Sequence, residues 1–363
     1  MIIKATDLVS AIDILSMVPQ RAGVAQSEFI RLKSNGKALR LFLASEASAT
    51  AKLKPTDGDC PEFDFFIGRT LLIPFVSVAR GSAKGEFSFE VKADRLIIKQ
   101  GRRRASYSNT QSVPDYTDAS VPMEGEKSGK FTAEQIKALQ LVAKYPDATN
   151  MQPHIQVIGV SKKHGALMAT DRHTLIMVQC EDLPFNSPLP PIIAGVLTED
   201  STVYVSKVGV RVDFQNASFY QALSEYAVKD FPYDSIVKAF ESVTSLPLLA
   251  EFPVSRTSDM IGRLKSYISN LINEDTALAI TAKAGKPILT CKVKSTFSAF
   301  TEGVKLPVNF AQDVDTEVKL TAVPDFFSAL PPEANVKLHG DAGKPIYFVC
   351  PKVKTHLIAS AVK

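Results

Sequence analysis

A strand-then-helix start occurs three times in this chain, and its spacing constrains the fold more than any single motif. Met1–Thr6, Lys130–Thr132 and Leu249–Val254 each read as a short extended stretch. Each is followed by an amphipathic helix, expected over Asp7–Met17, Ala133–Lys144 and Ser255–Asn270. Leu8, Ile12 and Leu15, then Ile136, Leu139 and Ala143, then Ile261, Leu264 and Ile268 fall at helical spacing. A Thr, Ser or Asp at or beside each start could cap the free amides. The starts lie roughly 120–130 residues apart, which is the length of a domain rather than of a solenoid repeat. A chain of 363 residues is also too long for one core and suggests two or three domains.

After each helix the periodicity changes to two. Alternation marks strands at Glu28–Lys33, Ala38–Ala44, Glu86–Val91 and Arg95–Gln100 in the first third. In the second it marks His154–Val160, Ala166–Thr170, Thr174–Gln179, Thr202–Val205 and Gly209–Phe214. In the last it marks Ala277–Ala282, Ile288–Lys294, Asn335–Gly340, Pro345–Val349 and His356–Val362. A second helix is expected midway through each third, at Thr70–Arg80, Pro190–Leu197 and Pro324–Leu330. Helices among many short strands give an α+β class. Polar, Pro-rich linkers are expected at Val113–Ser128 and around Lys238–Leu248.

Several functions are disfavoured. No apolar run of ~18 residues is present, so no membrane partner is expected, and the first residues lack a signal peptide's pattern, which implies the cytoplasm. Cys60, Cys180, Cys291 and Cys350 are scattered, form no Cys-x-x-Cys pair and have no His cluster, so no metal or other cofactor is expected. Asp171 and His173 sit in Ala-Thr-Asp-Arg-His-Thr-Leu with no nucleophile in a recognisable setting, which argues against catalysis. The net charge is only +4, so any basic surface must be local. Arg102, Arg103 and Arg104 read as a strand or hairpin tip, because alternation sends Arg103 away from its neighbours. A helical stripe of Lys137, Gln140 and Lys144 opposite the apolar face is better suited to phosphate contact.

Ala169–Leu175 resembles the Ala-Thr-Asp-Gly-His-Arg-Leu segment of the bacterial β sliding clamp (DNA polymerase III β subunit) family. Phe231-Pro232-Tyr233-Asp234 resembles that family's Phe-Pro-Asp-Tyr. Gln100–Ser108, Val113–Tyr116, Phe131–Gln135 and Asn335–Leu338 are weaker likenesses that fall in the family's order along essentially the whole chain. Arg172 and Thr174 stand where the family has Gly and Arg, and the terminal Ala359-Ser360-Ala361-Val362-Lys363 lacks its methionines. These departures mark a divergent member, with a virus or mobile element as one source.

The resemblance implies three clamp domains, at residues 1–122, 129–244 and 245–363. Their helices would line the hole of a ring and their antiparallel sheets would lie outside. It implies a homodimeric processivity factor that encircles duplex DNA without reading sequence, is opened by a clamp loader and holds a DNA polymerase by a peptide. The alternative is a clamp-like regulatory or decoy protein that grips such peptides without encircling DNA. A peptide pocket is expected from Thr170, Arg172, His173, Thr174, Leu175, Pro232, Val237, Leu357, Ala359, Ser360, Ala361 and Val362. DNA contacts are expected from Arg21, Arg69, Arg80, Lys137, Lys144, Arg263 and Lys265, and a dimer interface from Leu72, Phe75, Val76, Tyr267 and Ile268.

Overall fold

The computed structural model describes residues 1–57, 61–80, 85–109, 116, 118–271, 277–294, 299–341 and 344–360. Its elements run through one order three times. The first pass is β1 (Ile2–Lys4), α1 (Ala5–Ser16), a one-turn α2 (Ala25–Glu28), β2 (Phe29–Ser34), β3 (Leu39–Ala44), β4 (Ala47–Leu53), β5 (Phe63–Gly68), α3 (Arg69–Ser77), β6 (Glu86–Lys92), β7 (Arg95–Gln100) and β8 (Arg103–Ser108). The second is β9 (Lys127–Gly129), α4 (Ala133–Val142), β10 (Ile158–Ser161), β11 (Ala166–Thr170), β12 (Thr174–Gln179), β13 (Ser187–Leu189), α5 (Pro191–Val196), β14 (Thr202–Val205), β15 (Gly209–Asp213) and β16 (Ala217–Ala222). Two helices, α6 (Glu225–Asp230) and α7 (Tyr233–Val243), then intervene. The third is β17 (Leu248–Pro253), α8 (Ser258–Ile268), β18 (Ala277–Ala282), β19 (Ile288–Lys294), β20 (Ala299–Lys305), β21 (Val314–Lys319), α9 (Ala322–Ala329), β22 (Asn335–His339), β23 (Ile346–Cys350) and β24 (Thr355–Ala359).

Each pass builds two antiparallel four-strand blocks, and two pairs of blocks fuse. One eight-stranded sheet has the order β5-β2-β3-β4-β16-β15-β14-β9; the other has β13-β10-β11-β12-β24-β23-β22-β17. The blocks β1-β6-β7-β8 and β20-β19-β18-β21 stand by themselves. The chain divides into two compact units, residues 1–130 with 196–224 and residues 131–195 with 225–363. Each unit holds one eight-stranded sheet and one four-stranded sheet.

Local chemistry explains the helix starts unevenly. Thr132 accepts from the Gln135 amide at 3.3 Å and the Gln135 side chain accepts from the Thr132 amide at 3.0 Å, a capping box that starts α4. The expected caps of α1 and α8 are not made: α1 begins two residues before Asp7, after Lys4, and α8 follows a 3-10 turn at Val254–Arg256. Burial of Leu8, Ala11, Ile12 and Leu15, and of Met260, Ile261 and Leu264, holds these two helices instead.

The linker expected around Lys238–Leu248 is a correction. Most of it lies in or beside α7, whose Ile236, Phe240 and Val243 form a buried stripe at helical spacing. The strands missed by alternation are Ala47–Leu53, Phe63–Gly68, Ser187–Leu189, Ala217–Ala222, Ala299–Lys305 and Val314–Lys319, besides the Arg103–Ser108 strand that the Arg run foreshadowed and Lys127–Gly129, which starts within the expected linker and precedes the expected Lys130–Thr132 stretch.

Candidate functional site

The Ala-Thr-Asp-Arg-His-Thr-Leu motif is the hairpin between β11 and β12. Asp171 is buried and organises it: one carboxylate oxygen accepts from the amides of His173 at 3.1 Å and Thr174 at 2.7 Å. The other lies 2.6 Å from the Lys319 ammonium on β21. Thr170 Oγ1 accepts from the Arg172 amide at 3.1 Å, and Arg172 takes a left-handed φ of 79° that suits glycine better. The signal for Asp171 is therefore an Asx turn, and the acid is a structural clip rather than a catalytic one.

Pairing and alternation decide which side chains share a face. Thr170, Leu175, Ile358, Tyr347 and His339 are successive cross-strand partners. Gly159, Met168, Met177, His356 and Val349 form the next row on that same face. The Phe231–Val243 segment lies over these rows. A Cβ at Gly159 would come within 2.1 Å of the Phe231 ring, so only glycine admits it. The Phe240 ring sits 6.3 Å from Tyr347 and 5.9 Å from His356, and the Tyr347 hydroxyl is 2.6 Å from His356 Nδ1. Burial holds the His356 imidazole down at about 4. Asp234, at the start of α7, is bonded by Lys163 at 3.0 Å and His164 at 2.8 Å from the β10–β11 turn. The hydrogen bond from Lys163, with that from His164, keeps the Asp234 carboxyl below the usual range.

Thr170 and Leu175 lie on this face, Pro232 and Val237 belong to the segment that covers part of it through Phe231 and Phe240, and Arg172 and His173 are exposed in the hairpin turn. The Ser360 amide closes the end by donating to the His173 carbonyl at 2.8 Å. Thr174, Leu357 and Ala359 are corrections. Alternation puts them on the opposite face with Ile176 and Phe348, where Phe348 packs 6.0 and 5.6 Å from Phe326 and Phe327 of α9. All three are fully buried there. Met177 and Ile358, which the motif reading passed over, hold places on the same face as Leu175; parity within β12 was the available signal for Met177, whereas Ile358 follows only from the β12–β24 register. Ala361 and Val362 lie outside the described residues.

The cations on the helices are mostly engaged. Arg69 is a correction: it is 7% exposed, and its guanidinium donates to the carbonyls of Ser16, Val18 and Ser27 inside the first unit. It braces loops and cannot reach a phosphate. Arg80 pairs with Asp13, Arg21 with Glu46 at 3.2 Å, and Arg263 with both oxygens of Glu302 at 2.7 and 3.1 Å. Lys144 and Lys265 share Asp325 at 3.6 and 3.1 Å. Lys137 is exposed and has no ion-pair partner among the described residues.

The interface residues divide similarly. Leu72 and Val76 are corrections, since both are buried in their own unit, at 1% and 0% exposure. Phe75 is half-buried beneath the Arg103 guanidinium, 4.8 Å from the ring centre. The uncovered apolar residues of this region are Leu71 and Val78, 62% and 69% exposed. Tyr267 stacks on Phe300 of β20 at 4.7 Å, and Ile268 beside it is half-exposed. Cys180, Cys291 and Cys350 are free thiols, and no cluster of metal-binding side chains occurs among the described residues. No helix among them is long and apolar enough to cross a membrane.

No family model and no curated protein sequence matches the chain. Solved structures do. The DNA polymerase III subunit beta from Pseudomonas aeruginosa matches at a TM-score of 0.71 and 14% identity, over 100% of this chain and 99% of that one. The DNA polymerase III beta chain from Streptococcus pneumoniae gives 0.72 and 15% over the same shares. The Helicobacter pylori beta clamp, solved bound to a DNA ligase peptide, gives 0.67 and 14% over the whole of both chains. End to end, then, this chain has the three-domain α+β fold of the bacterial β sliding clamps.

Proposed function

We propose that the chain is a sliding clamp: a homodimeric ring that encircles duplex DNA and tethers a polymerase by a peptide. The observation that carries this reading is the phase of the strand repeat. Equivalent blocks fuse through β4 to β16 and through β12 to β24. Continuing that rule leaves β20 in need of a partner equivalent to β16 and β24, and the equivalent strand is β8. Both stand at free sheet edges, and neither contains a buried residue. A free β20 in one protomer and a free β8 in its partner therefore complete the series head to tail, and two chains close it. Leu71, Val78, Tyr267 and Ile268 supply apolar surface beside those edges. The domains in this reading are residues 1–122, 129–244 and 245–363.

DNA contact falls to Lys137 first, with Arg21, Arg80, Lys144, Arg263 and Lys265 sharing their charge with acidic neighbours. Weak, exchangeable phosphate contacts suit a ring that is retained by topology and must slide. Such a ring needs no cofactor or catalysis of its own, is opened by a loader and works in the cytoplasm. The polymerase peptide would lie over Leu175, Ile358 and Met177, between the Arg172–His173 turn and the Pro232–Val237 segment. An apolar groove of this kind binds extended segments with modest affinity.

The ion pairing of the helix cations favours a second reading, a decoy that grips peptides without encircling DNA. The test is retention on nicked circular DNA after loading with a clamp loader, before and after linearisation. A sliding clamp stays on the circle and is lost from the cut ends. Peptide binding without retention on the circle would sink the ring and leave the decoy.

A further inference from the structure

We propose that the eight-stranded sheet of the first unit carries a binding site for single-stranded nucleic acid, centred on Lys33, Arg40 and Lys52. This site is independent of the ring and of the peptide groove. Lys33 on β2, Arg40 on β3 and Lys52 on β4 are direct cross-strand partners, so three cations stand in one row on one face. Like charges placed opposite one another weaken a sheet. Such a row presents concentrated positive charge to a polyanion. The opposite face of these strands carries Leu41, Ala49 and Ala51, all fully buried, and on the cations' own face Lys33 and Lys52 are exposed while Phe42 and Thr50 are buried.

Local carboxylates do not consume the row. Asp64 stands opposite Lys33, but both of its oxygens are taken by Arg31, at 2.9 and 2.6 Å. Asp118 lies 3.7 Å from Arg40. Lys33 and Lys52 are exposed and have no ion pair among the described residues. Beside the row opens a cavity of about 410 Å³, lined by Arg31, Lys33, Arg40, Phe42, Tyr116 and their neighbours. Tyr116 is stacked on Phe66 at 6.2 Å and fixed by a 2.8 Å bond from its hydroxyl to the Phe29 carbonyl. Neighbouring strands place the cations about 5 Å apart, so the row matches a repeating polyanion better than a lone carboxylate. A rigid aromatic wall next to it suits a flat base. Cations that track a backbone and rings that meet bases are the combination used for single strands.

The test measures binding of a fluorescein-labelled oligothymidine of about 12 nucleotides to the full chain by anisotropy, over a range of salt. Lys33→Glu combined with Lys52→Glu is expected to weaken binding at least tenfold and lower the salt slope by about 1.4, two phosphates' worth for a single strand. Tyr116→Ala is expected to weaken the base-bearing oligonucleotide while leaving an abasic oligomer of equal charge unaffected. Competition with an unlabelled duplex of equal charge separates this site from the duplex reading: a single-strand site keeps the labelled oligothymidine, and full displacement overturns it. Lys33→Gln with Lys52→Gln serves if the reversal variant does not fold. Unchanged affinity in a folded double variant overturns the site. Displacement by polyglutamate at equal charge, with no loss in Tyr116→Ala, also overturns it and assigns the patch to acidic peptides.

Discussion

The two fused seams occupy equivalent places in the repeat, yet they are finished differently. At the β4–β16 seam, the face away from the buried alanines carries Ser48, Thr50, Ser218 and Tyr220. At the β12–β24 seam, the corresponding face carries Leu175, Met177, His356 and Ile358. The segments that follow the first and second passes differ to match. The first is pinned by polar links: the Ala119 amide donates to Thr50 Oγ1 at 3.0 Å, and the buried Arg211 guanidinium donates to the Val121 carbonyl and to Glu126. The second is pinned by apolar packing through Phe231, Ile236, Phe240 and Val243. The strand framework is shared, and what is laid over each seam differs: polar links at the first, apolar packing at the second.

That contrast predicts its largest consequence at Phe240, 3% exposed over Tyr347 and His356. Phe240→Ala is expected to lower unfolding free energy by about 3–5 kcal/mol, a lost aromatic plus the cavity it leaves. Tyr116→Ala, at a half-buried ring held by one hydrogen bond, is expected to cost only about 1–2 kcal/mol. Urea midpoints with equal slopes measure both. Equal losses would mean that the two connectors are held by the same physics after all.

Acid should separate the seams next. His356 is held near 4 when folded and returns to about 6.5 when unfolded. Between those values the unfolded chain binds more protons, so stability rises with pH across this window and falls on acidification from about 6.5 toward 4. The integrated effect is at most about 3 kcal/mol. His356→Phe keeps the ring packing and should flatten this part of the stability–pH curve. A curve unchanged by that substitution would place the acid sensitivity elsewhere.

Much of this was written in the sequence, and the losses have physical causes. Ala166–Thr170, Thr174–Gln179, Ala277–Ala282 and Ile288–Lys294 are strands at the expected bounds; in Ala277–Ala282 every second residue is buried, which sets the alternation, whereas Ala166–Thr170 is buried on both faces. Ala47–Leu53 was missed since its buried face is alanine, too weak a signal beside its serines and threonines. Val314–Lys319 was masked by its charges. The motif puts Thr170 and Leu175 on one face, but the choice between Ile358 and its neighbours Leu357 and Ala359 needs the β12–β24 register, which no local pattern contains. Arg69 looked like a surface cation because burial by three carbonyls leaves no trace in composition.

The smallest expected effect lies in the hairpin turns beside the seams. The β11–β12 turn holds Arg172 at a φ of 79°, where an L side chain meets the backbone unfavourably, whereas the β3–β4 turn contains no positive φ. Arg172→Gly relieves about 1–2 kcal/mol of strain and gives back about 0.5–1 kcal/mol in unfolded-state entropy. A net gain of roughly 0.5 kcal/mol should appear as a slightly higher midpoint. Glu46→Gly in the other turn relieves nothing and loses the entropy, so its midpoint should drop; the exposed pair with Arg21 that it also removes contributes little. Opposite signs would establish that the peptide-side turn is strained and the polar-side turn is not. If Arg172→Gly instead destabilises, the guanidinium must be held by something worth more than the strain, and its contact with Asn150, at 3.5 Å, is the first place to look.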